Sequence, residues 1–380
     1  MSTLDEETQG EVLAGEEDSG ATLTTPARLG AYARGRGVLV PILTTLIAFV
    51  VGGFVVLLTG HDPFSTYKAI FEGTGLQWVF PWVSGAARTT AAFNLQQTLL
   101  ATTPLILVGL AVGFAFRAGL FNIGGQGQYT VGGITAVWIG SSFSSMPPVL
   151  HITIAIVAAA LAGAAWAGIA GILKATLGVN EVISTIMLNW IAIWGGVYLL
   201  GLGGPLQDPH QASVPVSSTV VGSAKLPVFW GNAALQGLDI GLFIALAGVV
   251  VFWVILNRTR LGFEVRATGL NPDAASYSGI NVAKNYFIAM AISGSFAGVA
   301  AAMDILGWKF NLFTNDIQAS QVGFLGIAVA LLGRNTAIGT VAAALLFGAL
   351  QTGTSDRFLD PSVFDPNLAS NLTLMIQGLI

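Results

Sequence analysis

The chain has 380 residues and a formal net charge of −4; 54% of its residues are hydrophobic and only 9% are charged. Soluble domains carry about a quarter charged residues, so this composition excludes an ordinary soluble domain, and the 48 glycines with almost no alternating strand pattern argue against an outer-membrane barrel. With no cysteine and three scattered histidines, the chain gives no basis for disulfides, thiolate chemistry, a His-based metal site or a bound cofactor.

The first stretch, residues 1–27, contains seven acidic residues and no Lys or Arg. Its Gly-, Ser-, Thr- and Glu-rich composition is typical of disordered chain, and it lacks the basic start and apolar core of a signal peptide. We therefore predict an acidic, disordered cytoplasmic tail over residues 1–37, followed by one transmembrane domain over residues 38–380. A regulatory role for the tail and a plain solvated extension are both open.

Apolar runs of about 20 residues, long enough to cross a hydrocarbon core, recur through that domain. They predict an all-α polytopic membrane protein with about nine to ten transmembrane helices. The tenth run begins near residue 368 and reaches only Ile380, which is too short to cross, so we expect a chain truncated inside its last helix. Gly294 and Gly298 predict a close helix contact. The nine complete spans are predicted at 38–58, 98–116, 121–140, 150–173, 182–203, 238–256, 285–306, 320–333 and 336–353.

The basic residues are distributed unevenly between the two sides of these spans. With the N-terminus inside, ten of the fifteen Lys and Arg residues lie on the inside and five on the outside. Because positive charge accumulates in cytoplasmic loops, we predict a cytoplasmic N-terminus and a cytoplasmic polar loop at 257–284. The loops at 59–97 and 204–237 are then external, and they are either simple connectors or faces for an extracytoplasmic partner.

A glycine-rich turn, FRAGLFNIGGQGQ at 116–128, joins two of the spans. It contains no Gly-Lys-Ser/Thr and follows no strand, so nucleotide binding is not indicated. Polar groups at membrane depth must be buried in protein or line a cavity. Asn122, Gln126 and Gln128 are therefore candidates for lining the path of a neutral polar solute, and interhelical hydrogen bonding is the alternative.

A polar stripe follows in GVNEVISTIMLNW at 178–190, where Glu181, Thr185 and Asn189 are spaced by four and share one helix face. Asn189 lies deep in its predicted span, where an amide needs a partner, so it is a second candidate for the path. Asp304 with Lys309 is interpreted as an ion pair at the outer boundary. The rest of the interior is nearly free of ionisable residues, which argues against a proton or sodium relay and so against a self-powered carrier.

The cytoplasmic loop contains one short segment that is complete as a helix. Asn271 is suited to cap its first amides, Pro272 to the first helical position, and Gly279 to a left-handed stop. Such a helix offers a rigid handle to a cytoplasmic partner. Its residues are Asn271, Pro272, Asp273, Ala274, Ala275, Ser276, Tyr277, Ser278 and Gly279.

Four motifs in the same order resemble those of the permease subunits of bacterial ABC importers in the branched-chain amino acid/ribose-type superfamily, and among these the nucleoside-type permeases. The motifs are spread over roughly residues 90–350, most of the membrane domain. They are FRAGLFNIGGQGQ at 116–128, GVNEVISTIMLNW at 178–190, TRLGFEVRATGLNPDAASYSGI at 259–280 and GFLGIAVALLGRN at 323–335.

The resemblance implies a transport subunit rather than an enzyme. It implies a multi-pass protein in the bilayer of a bacterial cell membrane, a second related permease as partner in a heterodimer, a separate cytoplasmic ABC ATPase and an extracytoplasmic substrate-binding lipoprotein. No nucleic acid is expected as a partner. The segment at 271–280 resembles the coupling helix that docks on the ATPase.

Nucleosides are the solute that this resemblance favours. A path lined by amides and Thr185, with Phe93 and Trp190 as aromatic platforms, suits a neutral, polar, flat molecule. Simple sugars such as ribose and branched-chain amino acids are the alternatives within the superfamily. A stand-alone channel or secondary carrier and a non-transporting scaffold are the alternatives of another class.

Overall fold

A computed structural model of the chain describes residues 39–355, 358 and 365–379. The predicted acidic tail at 1–37 lies outside the described residues. The α-helices are α1 (Leu39–Leu58), α2 (Pro63–Thr74), α3 (Gly85–Arg117), α4 (Gly125–Ser141), α5 (Pro148–Leu177), α6 (Glu181–Leu200), α7 (Gly241–Arg258), α8 (Arg260–Leu270), α9 (Pro272–Tyr277), α10 (Val282–Asp304), α11 (Thr314–Ala319), α12 (Val322–Leu332), α13 (Ala337–Gly353) and α14 (Pro366–Leu379). A π-helical turn, Ile305–Lys309, continues α10, and a small antiparallel pair, β1 (Val228–Trp230) and β2 (Leu238–Asp239), lies in the predicted 204–237 loop and at its end.

The chain is a polytopic helical membrane protein, as its composition predicts. Within the described residues, six helices are long and apolar enough to cross a bilayer: α1, α3, α5, α6, α7 and α10 with its π turn. The helices α4 and α13 have 17 residues each and α12 has 11. At 1.5 Å per residue α12 is roughly 16 Å long, about half of a hydrocarbon core. The predicted total of nine to ten spans is therefore not confirmed, although every predicted span contains a helix.

The external loop predicted at 59–97 is shorter than expected. The helix α3 begins at Gly85 rather than at residue 98, so the last part of that segment is helical. The extension could not be predicted from hydropathy, because residues 85–97 are mostly small and polar. A hydropathy pattern detects only the apolar part of a helix that is long enough to span the bilayer.

The core of the bundle is formed by α3 and α10, the most deeply buried of the six long helices. The helix α5 lies against α10 at the predicted Gly294 and Gly298. A Cβ on Gly294 would collide with the carbonyl oxygen of Gly163, and one on Gly298 with that of Ala159. Association in lipid relies on packing, so this backbone-to-backbone approach joins α5 and α10 into one rigid unit.

We predict that Gly294→Ala lowers the free energy of unfolding by about 1–3 kcal/mol, because a methyl group overpacks this contact. The matched control is Gly195→Ala in α6, where a Cβ would meet nothing within 4 Å. Thermal unfolding of both variants in detergent is the measurement. An unchanged midpoint for Gly294→Ala would contradict the described packing.

Candidate functional site

A buried cluster of hydrogen-bonded amide side chains, the amide knot, surrounds the start of α4. It consists of Asn122, Gln126, Gln128 and Asn189. Asn122 and Gln128 pair reciprocally: Asn122 Nδ2 donates to Gln128 Oε1 at 3.0 Å, and Gln128 Nε2 donates to Asn122 Oδ1 at 2.9 Å. Asn122 Nδ2 also donates to Ser293 Oγ at 2.8 Å, and Ser293 Oγ donates to the carbonyl oxygen of Ala111 at 2.6 Å. These bonds connect the turn before α4 to α10 and α3.

The first turn of α4 and the turn before it also hold α12 and α6. The backbone N–H of Gly323 donates to Gln126 Oε1 at 2.9 Å, which fixes the first turn of α12. Asn189 accepts from the N–H of Gly127 at 2.8 Å and donates to the carbonyl oxygen of Ile123 at 2.9 Å, which fixes the middle of α6. Gly127 is needed here, because a Cβ would stand 3.0 Å from the Asn189 Cα.

The predicted polar residues are thus brought together by the fold. Thr185 also borders the knot: its hydroxyl donates to the carbonyl oxygen of Glu181 at 2.7 Å, and a Cβ on Gly124 would lie 3.0 Å from its Cβ. The described hydrogen bonds of these polar side chains are to other protein groups, as expected for interhelical hydrogen bonding. Direct contact of these side chains with a solute stays a prediction. The buried members are Asn122, Gln126, Gln128, Thr185 and Asn189.

A cavity of about 470 Å³ opens beside Asn189, between α6 and the α11–α12 segment. Trp190 and Trp194 form its aromatic wall, and both are more than half exposed. Phe93 lies elsewhere, with its ring 6.0 Å from that of Phe358, and does not line this cavity. The cavity is lined by Ile186, Asn189, Trp190, Ile193, Trp194, Gln318, Ser320, Gln321 and Phe324.

The polar side of the cavity is a break between two short helices. The helix α11 ends at Ala319 and α12 begins at Val322, so Ser320 and Gln321 lie in a non-helical joint. Discontinuous helices at membrane depth frequently form transporter binding sites. The Ser320 hydroxyl oxygen is buried and has no hydrogen-bond partner in the part of the chain that the structure describes. It is therefore an unsatisfied polar group at the edge of the cavity.

Sequence reasoning identified Asn189 and Trp190 but missed the rest of this lining. The spacing of Trp190 and Trp194 by four, on one face of α6, was a usable signal. For Ser320 and Gln321 no comparable signal exists, because their importance depends on α11 and α12 packing against a helix more than a hundred residues earlier in the chain.

The ion pair predicted at the end of α10 is confirmed. Lys309 Nζ lies 3.2 Å from Asp304 Oδ2, and the indole N–H of Trp308 donates to Asp304 Oδ1 at 3.1 Å. The hydroxyl of Tyr129 donates to the same carboxylate. Asp304 is buried and fully occupied by these neighbours, so it is a structural group rather than a solute contact.

The polar loop contains the predicted short helix and a second one that was not predicted. In α9, Asn271 Oδ1 accepts from the N–H of Ala274 at 3.0 Å, Pro272 is the first helical residue, and Gly279 has φ +80°. The predicted cap and stop are thus confirmed. The preceding helix α8 is capped by Thr259, whose hydroxyl accepts from the N–H of Gly262 at 3.1 Å.

The two helices form a unit, α8–α9, that contacts the loop between α3 and α4. The backbones of Gly119 and Gly269 are in contact: a Cβ on Gly119, where φ is +73°, would lie 3.1 Å from the Gly269 Cα. On the outer side of the unit, Tyr277 is 95% exposed and Leu270 is 88% exposed, whereas Ala275 is buried against the bundle. An exposed aromatic residue and an exposed leucine on one small unit provide apolar surface suited to a protein partner.

Comparison with known proteins identifies related chains. Residues 94–380 match the family described as branched-chain amino acid transport system / permease component. The chain is 38% identical over 325 residues to the guanosine ABC transporter permease protein NupP of Bacillus subtilis. The aligned region covers 86% of this chain and 88% of that protein. It is 34% identical over 326 residues to the nucleoside ABC transporter permease protein NupB of Lactococcus lactis, covering 84% of each.

A third relative carries a different substrate in its name. The glucose ABC transporter permease protein TsgB13 of Haloferax volcanii is 34% identical over 327 residues, covering 83% of this chain and 80% of that protein. No solved structure matches the chain significantly.

We predict that Asn189→Leu destabilises the fold, because it leaves the N–H of Gly127 and the carbonyl of Ile123 unpaired in the interior. An unsatisfied buried group costs about 1–3 kcal/mol. Asn257→Leu is the control, since that exposed amide donates to the carbonyl oxygen of Trp253 in its own helix. The free energy of unfolding in detergent should fall for Asn189→Leu alone; equal losses in both variants would argue against a structural knot.

Proposed function

The chain belongs to the family of branched-chain amino acid transport system permease components, and from that membership we propose that it is the membrane-spanning subunit of an ATP-driven nucleoside importer. Relatives named for guanosine and for nucleosides match more than four fifths of the chain. ATP hydrolysis is assigned to a separate ABC ATPase. A second related permease and an extracytoplasmic binding lipoprotein complete the proposed assembly.

The observation that supports a nucleoside is the cavity beside Asn189. Its volume of about 470 Å³ falls within the range of small-molecule sites. Trp190 and Trp194 offer indole faces on which a base can stack, and Ser320 and Gln321 offer hydrogen-bonding groups to a ribose or a base edge. Among the described residues that line the cavity none has an ionised side chain, which suits a neutral solute.

A sugar is the second candidate, because one relative is named for glucose. Glucose also stacks on an aromatic ring and uses hydroxyl and amide partners, so the polar lining alone does not discriminate. The paired tryptophans favour the flat, larger surface of a base, and this is why we place nucleosides first.

We assign the coupling role to α9, carried on the α8–α9 unit. An ATPase that docks at Tyr277 would move α8 against the loop at Gly119. That loop leads directly into the amide knot, where Gln126 holds Gly323 and Asn189 holds Gly127. Movement of the loop would therefore reach both walls of the cavity, α6 and α12.

The orientation follows from the same assignment. With α8–α9 in the cytoplasm, the N-terminus is cytoplasmic, as the charge distribution predicts. We propose that α4, α13 and α14, together with the broken α11–α12 segment, also lie within the bilayer of the plasma membrane. Added to the six long helices, they bring the bundle to about ten membrane-embedded elements.

We predict that Trp190→Ala lowers nucleoside uptake by at least about fivefold in proteoliposomes that contain the whole importer. The loss of one base-stacking ring is worth about 1–3 kcal/mol. Trp190→Phe should retain most of the uptake, and Trp253→Ala, which does not line the cavity, should behave as wild type.

The same assay tests the function itself. Uptake of guanosine with ATP and the ATPase, and none without them, is the expected result. Preference for glucose would reject the nucleoside assignment, and flux through this chain alone would support a channel or secondary carrier instead.

We predict that Tyr277→Ala weakens association with the ATPase by about thirtyfold, corresponding to about 2 kcal/mol for a buried aromatic anchor. Transport-coupled ATPase activity should fall with it, while the unfolding midpoint stays unchanged because Tyr277 is almost fully exposed. Tyr198→Ala, an exposed tyrosine of α6, is the control. Undiminished association of Tyr277→Ala would refute docking at this residue.

A further inference from the structure

A groove of about 960 Å³ lies between the first half of α1 and the turn that joins α12 to α13. The buried residues of α1 are Ala48, Gly52, Gly53 and Val56, all in the middle and second half of the helix. The first half therefore stands away from the bundle. The walls of the groove are mainly apolar, with Ile42 and Leu46 on α1 facing Ala342 and Leu346 on α13.

Two arginines line one end of this apolar groove, Arg117 at the end of α3 and Arg334 in the α12–α13 turn. Arg117 is fixed in place, because its Nε and Nη2 donate to the carbonyl oxygen of Asn335 at 3.1 and 2.8 Å. Arg334 and Asn335 have φ of +54° and +52°. Two consecutive non-glycine residues in the left-handed region are costly, and such strain is typical of functional turns.

An apolar groove with two arginines at one end is suited to an amphiphilic ligand. An aliphatic groove accepts a hydrocarbon chain, and two guanidinium groups at its end attract a phosphate. The arginine end is also the end where α8 meets the bundle, since Gly269 contacts the backbone of Arg117. A free phosphate would leave the apolar walls of the groove unfilled.

We propose that this groove binds one anionic phospholipid. Its phosphate lies on Arg117 and Arg334, and an acyl chain lies between α1 and α13. The lipid completes the packing of α1 that the protein itself leaves open. The site is separate from the Asn189 cavity and does not depend on which solute is transported.

The absence of cysteine from the chain permits a direct test. Ala342→Cys, labelled with a photoreactive thiol reagent, places the probe in the groove in nanodiscs of phosphatidylglycerol and phosphatidylcholine. Leu161→Cys on α5, 64% exposed and outside the groove, is the control. We expect adducts with phosphatidylglycerol at residue 342 in excess over its share of the bilayer, and adducts in proportion to bulk lipid at 161.

A charge variant supplies the second readout. Arg334→Gln in the labelled Ala342→Cys background should lower the phosphatidylglycerol adduct about fivefold, the effect of about 1 kcal/mol for one cation near a membrane surface. Arg334→Lys should retain it, and Arg88→Gln, near Trp78 and outside the groove, should not change it. The proposal would be overturned if both lipids labelled residue 342 equally, or if Arg334→Gln left the phosphatidylglycerol adduct unchanged. Adducts to residues 1–38 or to a second copy of the chain would also overturn it.

Discussion

The fold depends on how amide side chains are satisfied at membrane depth. No water reaches such groups in a bilayer core, so each donor and acceptor must find a protein partner. Asn122, Gln126, Gln128 and Asn189 meet most of this need around the start of α4, because their amides bond one another, a serine and the backbone. Of these four amides, Gln126 Nε2 has no partner within the described residues. Four helices, α3, α6, α10 and α12, are thereby held by one short segment that comprises the turn before α4 and the first turn of α4. The knot is a structural joint first, and any role for it in transport operates through that joint.

The bundle has two sides of different construction. On one side, Gly163 and Gly294 let the backbones of α5 and α10 touch, which leaves no space for relative movement without loss of packing. On the other side, α6 and the broken α11–α12 segment lie across a cavity, and they approach at Gly196, where a Cβ would lie 2.9 Å from Ile317 Cδ1 of α11. Alternating access in the proposed importer would therefore move α6 and α12 against a fixed α5–α10 block.

The sequence predicted features that depend on local pattern and missed features that depend on distant contacts. Apolar runs located the long helices, and Asn271 and Gly279 defined α9 because caps are encoded by neighbouring residues. The helix α8 was missed because its composition is mixed and its buried residues, Gly262, Val265 and Thr268, do not form an apolar stripe. That a polar residue such as Gln126 lies at depth was visible in the sequence. Its partner, Gly323, was not, since 197 residues separate the two.

Arg117 connects three regions of the protein: the α8–α9 unit, α12 and the lipid groove. Its backbone contacts Gly269 of α8, and its guanidinium holds Asn335 at the far end of α12. The other end of α12 is held by Gln126 through Gly323. A helix of 11 residues that is clamped at both ends moves as one body, so displacement of α8 would tilt α12 rather than bend it. The same arginine lines the lipid groove, and a phosphate bound there would stiffen the clamp. Lipid composition and ATPase docking would then act on the cavity through one residue.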